Sequence, residues 1–553
     1  MRKFLLLSAA ALAASPGVAS AQQPEPPTAN LMRPPTQGQW IVPWIQGPAA
    51  NNNNNAYGTP GTYNGGAGFA KNATPTPGTV VIRLNGRVEV DMDAFWTTGN
   101  TVLTSDGKVY KINPIAFGSR ARLYPGVDGM ANNGLRYGAS IELRQNFMSG
   151  NTYAYTGNTA VTPAAGAPFT PGGNTIGSSA ASPGGNTSAQ TLFVRRAFTY
   201  LAADKFGLAR FGTGDGIIGL LDPGIFSAQT WDAGAGNING DVINAQAPGA
   251  GTAVPFAWLA QSSAEYSNTK IVYLSPQFFG IDLGFQYAPS MGNGYSDGVS
   301  ASPVQGTTCN AAGAIQTSGS TPATSQSTSG CIGTTTGNDA TRWYNQVVVG
   351  GRWQGTFGPL DTGIYVAYET AGKEQFNGKP NVLGSNGQYA TNASNGAFRY
   401  DNLSFISAAA YSTLNTGIGS FTLSFDYIGG AVNGQLAMRP TGGAPEEGFL
   451  QGLVYKNGRL TLGAEVGLLN SQGAAQLTKV SQRREVAMAF GGNYSLAPGL
   501  YLVLEYQYYY RHQGGYDFTG ACVSGAPGCL STTKGASRDG RGQGLQFSTV
   551  INW

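Results

Sequence analysis

From Thr79 onward the chain alternates between apolar and polar residues. Ile82, Leu84, Val88, Val90, Met92, Ala94 and Trp96 hold even positions, and Arg83, Asn85, Arg87, Glu89, Asp91 and Asp93 hold odd ones. A period of two is that of a strand with one apolar and one polar face. Strands of soluble sheets usually run about five or six residues, whereas a tilted strand crossing hydrocarbon needs about nine to eleven, and this stretch is longer still. The pattern returns along the chain. Leu135, Tyr137, Ala139, Ile141 and Leu143 alternate with Arg136, Ser140, Glu142 and Arg144. Ile281, Leu283, Phe285 and Tyr287 alternate with Asp282, Gly284 and Gln286, and Leu360, Ile364, Val366 and Tyr368 with Asp361, Gly363, Tyr365 and Glu369. Leu500, Leu502, Leu504, Tyr506, Tyr508 and Tyr510 alternate with Tyr501, Glu505, Gln507 and Arg511. One face is greasy and rich in aromatics, as in the interfacial girdles of membrane barrels; the other is wet.

The connections alternate too. Short turns read at 132–133, 204–205, 276–280, 356–359, 415–419, 457–458 and 497–499. Long polar segments stand between them at 98–116, 148–190, 214–262, 289–341, 371–397, 430–446, 470–482 and 513–542. Fifteen connectors join sixteen strands. The expected fold is therefore all-β: a transmembrane antiparallel β-barrel of about 16 strands, with short periplasmic turns and long extracellular loops. An open sheet edge would leave backbone groups unpaired in lipid, so the barrel must close.

The ends are different. Arg2 and Lys3, the apolar stretch Phe4 to Ala14, and Ala19-Ser20-Ala21 read as a signal peptide over 1–21, cleaved before Gln22. Residues 22–78 are rich in Pro, Asn and Gly and lack a period apart from the apolar piece Trp40 to Ile45, which predicts a flexible N-terminal arm. Residues 79–553 form the barrel. Composition agrees with this division. Of 553 residues only 11% are charged, while 82 are glycine and 27 tyrosine. Such a chain favours strands and turns over helical bundles. A net charge of +4 is too weak to imply nucleic acid as a partner. No apolar run is long enough for a membrane-spanning helix.

Candidate chemistry is sparse. Cys309 with Cys331 and Cys522 with Cys529 sit in polar segments, and in an exported chain they read as two loop disulfides. With neither CxxC spacing nor any histidine but His512, no metal site is expected. His512 reads as an interfacial ring among Tyr508, Tyr509 and Tyr510. Gly214 to Gly219 matches G-x-G-x-x-G, but the following Leu-Leu-Asp-Pro-Gly reads as a turn where a dinucleotide site needs a helix. Neither cofactor binding nor catalysis is expected.

Three segments carry a resemblance. Leu545 to Trp553 alternates to a terminal aromatic, similar to the ending by which barrel assembly machinery recognises outer-membrane proteins. Val194 to Gly212, with Val194-Arg195-Arg196-Ala197-Phe198 and Phe206-Gly207-Leu208-Ala209-Arg210-Phe211-Gly212, resembles the strand–turn–strand of general bacterial porins, particularly the alphaproteobacterial type. Asn268 to Gly280 resembles a second porin signature. The resemblance implies a homotrimer in the outer membrane of a Gram-negative cell, among its lipids and lipopolysaccharide, with a water-filled pore in each subunit. It also implies a third long loop, here 214–262, folded into the pore. That loop carries Asp215, Asp222, Asp232 and Asp241 without Lys or Arg, while Arg83, Arg87, Arg136, Arg144, Arg195 and Arg210 fall on the wet faces of early strands. Acid facing base would set a transverse field at a constriction; alternatively the arginines pair with Glu89 and Glu142. The implied function is passive diffusion of small hydrophilic solutes and ions. A sugar-selective channel using Phe226, Trp231 and Phe256 is the second reading, and a barrel enzyme or adhesin the third.

Overall fold

The computed structural model describes residues 76–97, 101–103, 109–111, 114–148, 193–203, 206–214, 216–221, 269–276, 278–290, 308–309, 315–316, 343–373, 382–383, 389–390, 401–433, 438–473, 477–518, 522–523 and 538–553. Sixteen of its strands close one antiparallel barrel. In chain order they are β1 (Thr79–Thr97), β2 (Ile115–Met130), β3 (Arg136–Met148), β4 (Phe193–Ala203), β5 (Gly207–Thr213), β6 (Thr269–Leu274), β7 (Ile281–Ser290) and β8 (Trp343–Phe357). Then come β9 (Leu360–Lys373), β10 (Leu403–Thr416), β11 (Gly419–Ala431), β12 (Glu446–Asn457), β13 (Leu460–Ser471), β14 (Arg483–Ala497), β15 (Leu500–His512) and β16 (Asp539–Asn552). Each strand pairs with its sequence neighbours, and β1 completes the ring by pairing with both β2 and β16. The expected strands, and the strict alternation of short and long connections, are observed. Among the described residues no helix is long and apolar enough to cross a membrane.

Strand parity sorts the side chains into two environments. Outward positions expose a belt of large apolar groups that water would solvate poorly: Ile82, Val90 and Met92 on β1, Leu283 and Phe285 on β7, Ile364 and Val366 on β9, and Leu504 on β15. Aromatic groups mark its ends. At the short-turn end stand Phe206, Phe278, Phe279, Phe357 and Trp553. Tyr273 donates its hydroxyl to the Phe206 carbonyl and Tyr455 to that of Ile418, so ring bodies stay in the apolar layer while their polar tips satisfy turn carbonyls. The three tyrosines around His512 split across the wall: Tyr509 is buried and inward, stacked over Gly542, whereas Tyr508 and Tyr510 point out. His512 itself is part-exposed at the rim, with Nδ1 2.8 Å from Asp539 Oδ1.

The seam between first and last strands has its own lock. Gly86 N–H donates to the Trp553 carbonyl (3.0 Å), and Trp553 N–H returns a bond to Gly86 (3.1 Å). A Cβ at Gly86 would stand 2.1 Å from Trp553 Cζ2, so only glycine leaves room for the indole on that face. Gly86→Val should therefore displace Trp553 and weaken closure by about 1–3 kcal/mol, the usual cost of overpacking. The check is the temperature at which the folded, fast-migrating band of unheated protein disappears on gels: Gly86→Val should lower it, and an unchanged temperature would show that Trp553 adds nothing to the seam.

Candidate functional site

The inward parity of the strands defines the site, and its composition is mixed rather than wet throughout. Beside polar groups it carries Tyr365, Phe405, Leu450, Val503, Tyr509 and Val550, all almost completely buried. The polar groups divide around the ring. On β1 to β6 the register lines up Arg87, Arg122 and Arg144 at directly paired positions of three adjacent strands. Arg136, Arg210 and Lys270 are inward and buried nearby. On β9 to β15 the buried inward charges include Glu369, Asp426, Glu465, Glu485 and Glu505. Among the described buried charges of β1 to β6, Glu89, Asp128 and Glu142 accompany Arg136, Arg210 and Lys270, whereas acid predominates on β9 to β15; Arg352 and Asp282 (2.5 Å) pair between the two regions.

A short helix, α1 (Ile217–Leu221), follows β5 and packs on β7, β8 and β9. This corrects the reading of Leu220-Leu221 as a turn, although α1 serves no dinucleotide site because it sits inside an antiparallel barrel. Its place is set by missing side chains on the wall. A Cβ at inward Gly284 would meet Ile217 Cδ1 at 2.6 Å, and one at Gly350 would meet Leu221 Cδ1 at 3.1 Å. The glycines make a shallow seat for Ile217, Ile218, Leu220 and Leu221, all buried. The helix start is tied down as well. Ile217 N–H donates to Gln286 Oε1 (2.8 Å), Gln286 Nε2 to Gln346 Oε1 (3.1 Å) and Gln346 Nε2 to Glu369 Oε1 (2.5 Å). That chain crosses three strands at the level of α1. Lys270 Nζ donates to the Gly214 carbonyl (2.8 Å), fixing the point where the third long connection leaves the wall.

The last long connection also turns inward. Phe518 is buried over inward Gly540, and the Arg483 guanidinium lies 5.0 Å from the Tyr516 ring and 5.5 Å from that of Phe518. Arg511 Nε reaches Glu485 Oε1 at 2.5 Å, and Gln513 Nε2 donates to the carbonyls of Gln472 and Ser481, both at 2.8 Å. Burial makes such pairs electrostatically strong and costly to break.

The residues expected to form the site fall in several places. Arg83, Arg87 and Arg144 hold the parity of buried Glu89 and Glu142. Arg210 stacks on Phe198, 4.7 Å from its ring centroid. A register shift leaves Arg195 out of the pairing between β3 and β4, so Arg196 stands opposite Glu142. Asp215, Asp222, Asp232 and Asp241 lie outside the described residues, as do Phe226, Trp231, Phe256, Cys331 and Cys529. Cys309 and Cys522 lie on short hairpin strands, Thr308–Cys309 paired with Ile315–Gln316 and Cys522–Val523 with Tyr516–Asp517. Sequence reading missed Arg122 and the acidic wall of β9 to β15; strand parity alone marks both, once each register is known.

By sequence, neither a family model nor a curated protein matches the chain. Among solved structures it is similar to a mutant of Rh. blastica porin (10% identity, TM-score 0.39, covering 86% of this chain and all of that one). It is likewise similar to the anion-selective porin from Comamonas acidovorans (11%, 0.41, 86% and all) and to outer-membrane expressed OmpT of Vibrio cholerae (10%, 0.40, 87% and all).

The seat of α1 can be tested directly. Gln286→Leu removes the acceptor of the Ile217 N–H, at about 1–3 kcal/mol for a buried donor left unmade, and Gly284→Leu fills the space Ile217 occupies. Both variants should be cut by proteinase K between residues 216 and 222 faster than the parent protein while the barrel stays resistant. Equal cleavage would place the anchoring of α1 elsewhere.

Proposed function

We propose that this protein is a porin-type channel of the Gram-negative outer membrane through which small hydrophilic solutes and ions diffuse passively. A closed sixteen-stranded barrel whose inward face carries charge of both signs, with Arg87, Arg122 and Arg144 in register on β1 to β3 and buried acid predominating on β9 to β15, carries the reading. Opposed charges in a passage with low-dielectric walls make a field across the path of the solute. Dipolar solutes orient in that field and apolar ones lose ordered water, so polarity becomes the filter. The third long connection, which leaves β5 through α1, narrows the passage, and Asp215 and Asp222 add to its acidic side. Subunits associate as homotrimers, and the chain reaches the membrane by way of its signal peptide and of assembly machinery that reads the strand ending in Trp553.

Bilayer recordings test this. Stepwise currents should appear, and reversal potentials in a salt gradient should move toward cations in Arg87→Ala with Arg122→Ala and toward anions in Asp215→Asn with Asp222→Asn. Each shift should shrink as salt shortens the screening length, about 8 Å at physiological ionic strength. Currents blocked saturably by one sugar class would favour the solute-selective reading; the absence of current from the chain in any form would overturn the channel.

The cysteines belong to the same picture. Bridges Cys309–Cys331 and Cys522–Cys529 close two of the long connections, each adding about 2–4 kcal/mol in the chain-entropy model. Peptide mass mapping of protein from an oxidising compartment should find both; free thiols, or a link between 309 and 522, would contradict them.

A further inference from the structure

Two adjacent arginines open β14, and strand parity sends them to different surroundings. Arg484 points outward and is exposed, where water hydrates its charge. Arg483 points inward, opposite Ser471 on β13, with only 7% of its surface exposed. A guanidinium taken out of water is costly unless an anion stands beside it. Among the described residues no carboxylate, neither Asp517 of the nearby turn nor Glu485 on the same face, lies within ion-pair distance of Arg483, and Glu485 is held by Arg511 at 2.5 Å. The groups that Arg483 does meet carry no carboxylate. Its Nε donates to Gln513 Oε1 (3.0 Å), the Tyr516 hydroxyl is within hydrogen-bonding reach, and Cζ lies 5.0 Å from the Tyr516 ring and 5.5 Å from that of Phe518.

These neighbours hold the guanidinium in one place. Gln513 Nε2 donates to the carbonyls of Gln472 and Ser481, both at 2.8 Å, which leaves only its amide oxygen to face Arg483. The turn that carries Gln513 is itself tied to the preceding connection. Ser481 N–H donates to the Gly514 carbonyl (2.9 Å), and Gly514 N–H returns a bond to Ser481 Oγ (2.8 Å). Gly473 leaves the space for this arrangement: a Cβ there would stand 2.5 Å from Arg483 Nε and 2.8 Å from Gln513 Oε1. Arginine presents its donors as a rigid planar fork, and Nε is spent on Gln513. The nitrogens at the tip of the fork match the paired oxygens of one carboxylate or phosphate group. As the first residue of β14, Arg483 stands at the mouth framed by the long connections.

We propose that Arg483 is an oxyanion-binding residue: the carboxylate or phosphate group of a small solute supplies the counter-charge that the wall does not, on a guanidinium preset by Gln513, Tyr516 and Phe518. Small oxyanionic solutes are then the class that the channel collects at this mouth, a consequence that rests on the channel reading. Binding and conduction are therefore measured separately. In detergent at constant ionic strength, succinate or inorganic phosphate in place of chloride should raise the temperature at which the folded band of the unsubstituted protein disappears on gels. The general effect of such salts on folded proteins acts on every variant alike. Arg483→Gln should lose the specific rise and Arg484→Gln should keep it. Arg483→Lys, with the charge but not the fork, should keep only part, and it carries the test if Arg483→Gln does not fold. The stronger of the two anions assigns the group to carboxylate or phosphate. In bilayers, that anion added on the side of the long connections should reduce chloride current saturably. Arg483→Gln should raise the half-blocking concentration about tenfold or more, the loss expected for a charge-assisted hydrogen bond. A specific rise in stability with no current from any form would leave the site and overturn the channel. Current with an equal response to both anions in the unsubstituted protein and Arg483→Gln would overturn the site and leave Arg483 as a clasp for the turn at Tyr516 to Phe518.

Discussion

Every backbone N–H and C=O that enters hydrocarbon must find a partner within the protein, since lipid offers none. For strands this means a ring without an edge, and the rest of the molecule depends on that closure. The contact that completes it is small. Gly86 and Trp553 exchange backbone bonds, and the indole lies where a side chain at 86 would be. Trp553 is thus held by the absence of a side chain on the first strand, and β1 pairs on both flanks from Arg87 to Ala94.

Closure gives each strand two solvents. Outward positions accept lipid and need only apolar bulk, which explains the interchangeable Ile, Leu, Val and Phe of the belt. Inward positions have stricter demands, because buried polar groups must be matched group by group. The chain Gln286–Gln346–Glu369 and the pairs Glu485–Arg511 and Asp282–Arg352 show that matching, each crossing strands whose residues lie far apart in sequence. In the proposed channel a solute would meet these same positions. Structural satisfaction and function draw here on one set of side chains.

Glycine has a second use inside the barrel. Gly284 and Gly350 form the recess in which α1 lies, and Gly540 and Gly542 accept the rings of Phe518 and Tyr509. Part of the unusual glycine content therefore shapes the lumen: absent side chains on the wall make room for groups brought by the connections.

Strand number, strand order and the sorting of residues between the two faces were legible in the sequence, because a two-residue period and the lengths of connectors are local properties that need no knowledge of neighbours. Arg83, Arg87 and Arg136 could be assigned to the polar face for the same reason. The alignment of Arg87, Arg122 and Arg144 could not, since register depends on how strands slide past one another, and Arg195 shows that one shifted residue changes what stands opposite Glu142. Nor could α1 be foreseen. Five residues have almost no intrinsic tendency to form a helix. Ile217 to Leu221 are helical because Gln286 holds their first N–H and two glycines from distant strands open a seat for their side chains, and only the closed barrel brings those groups together.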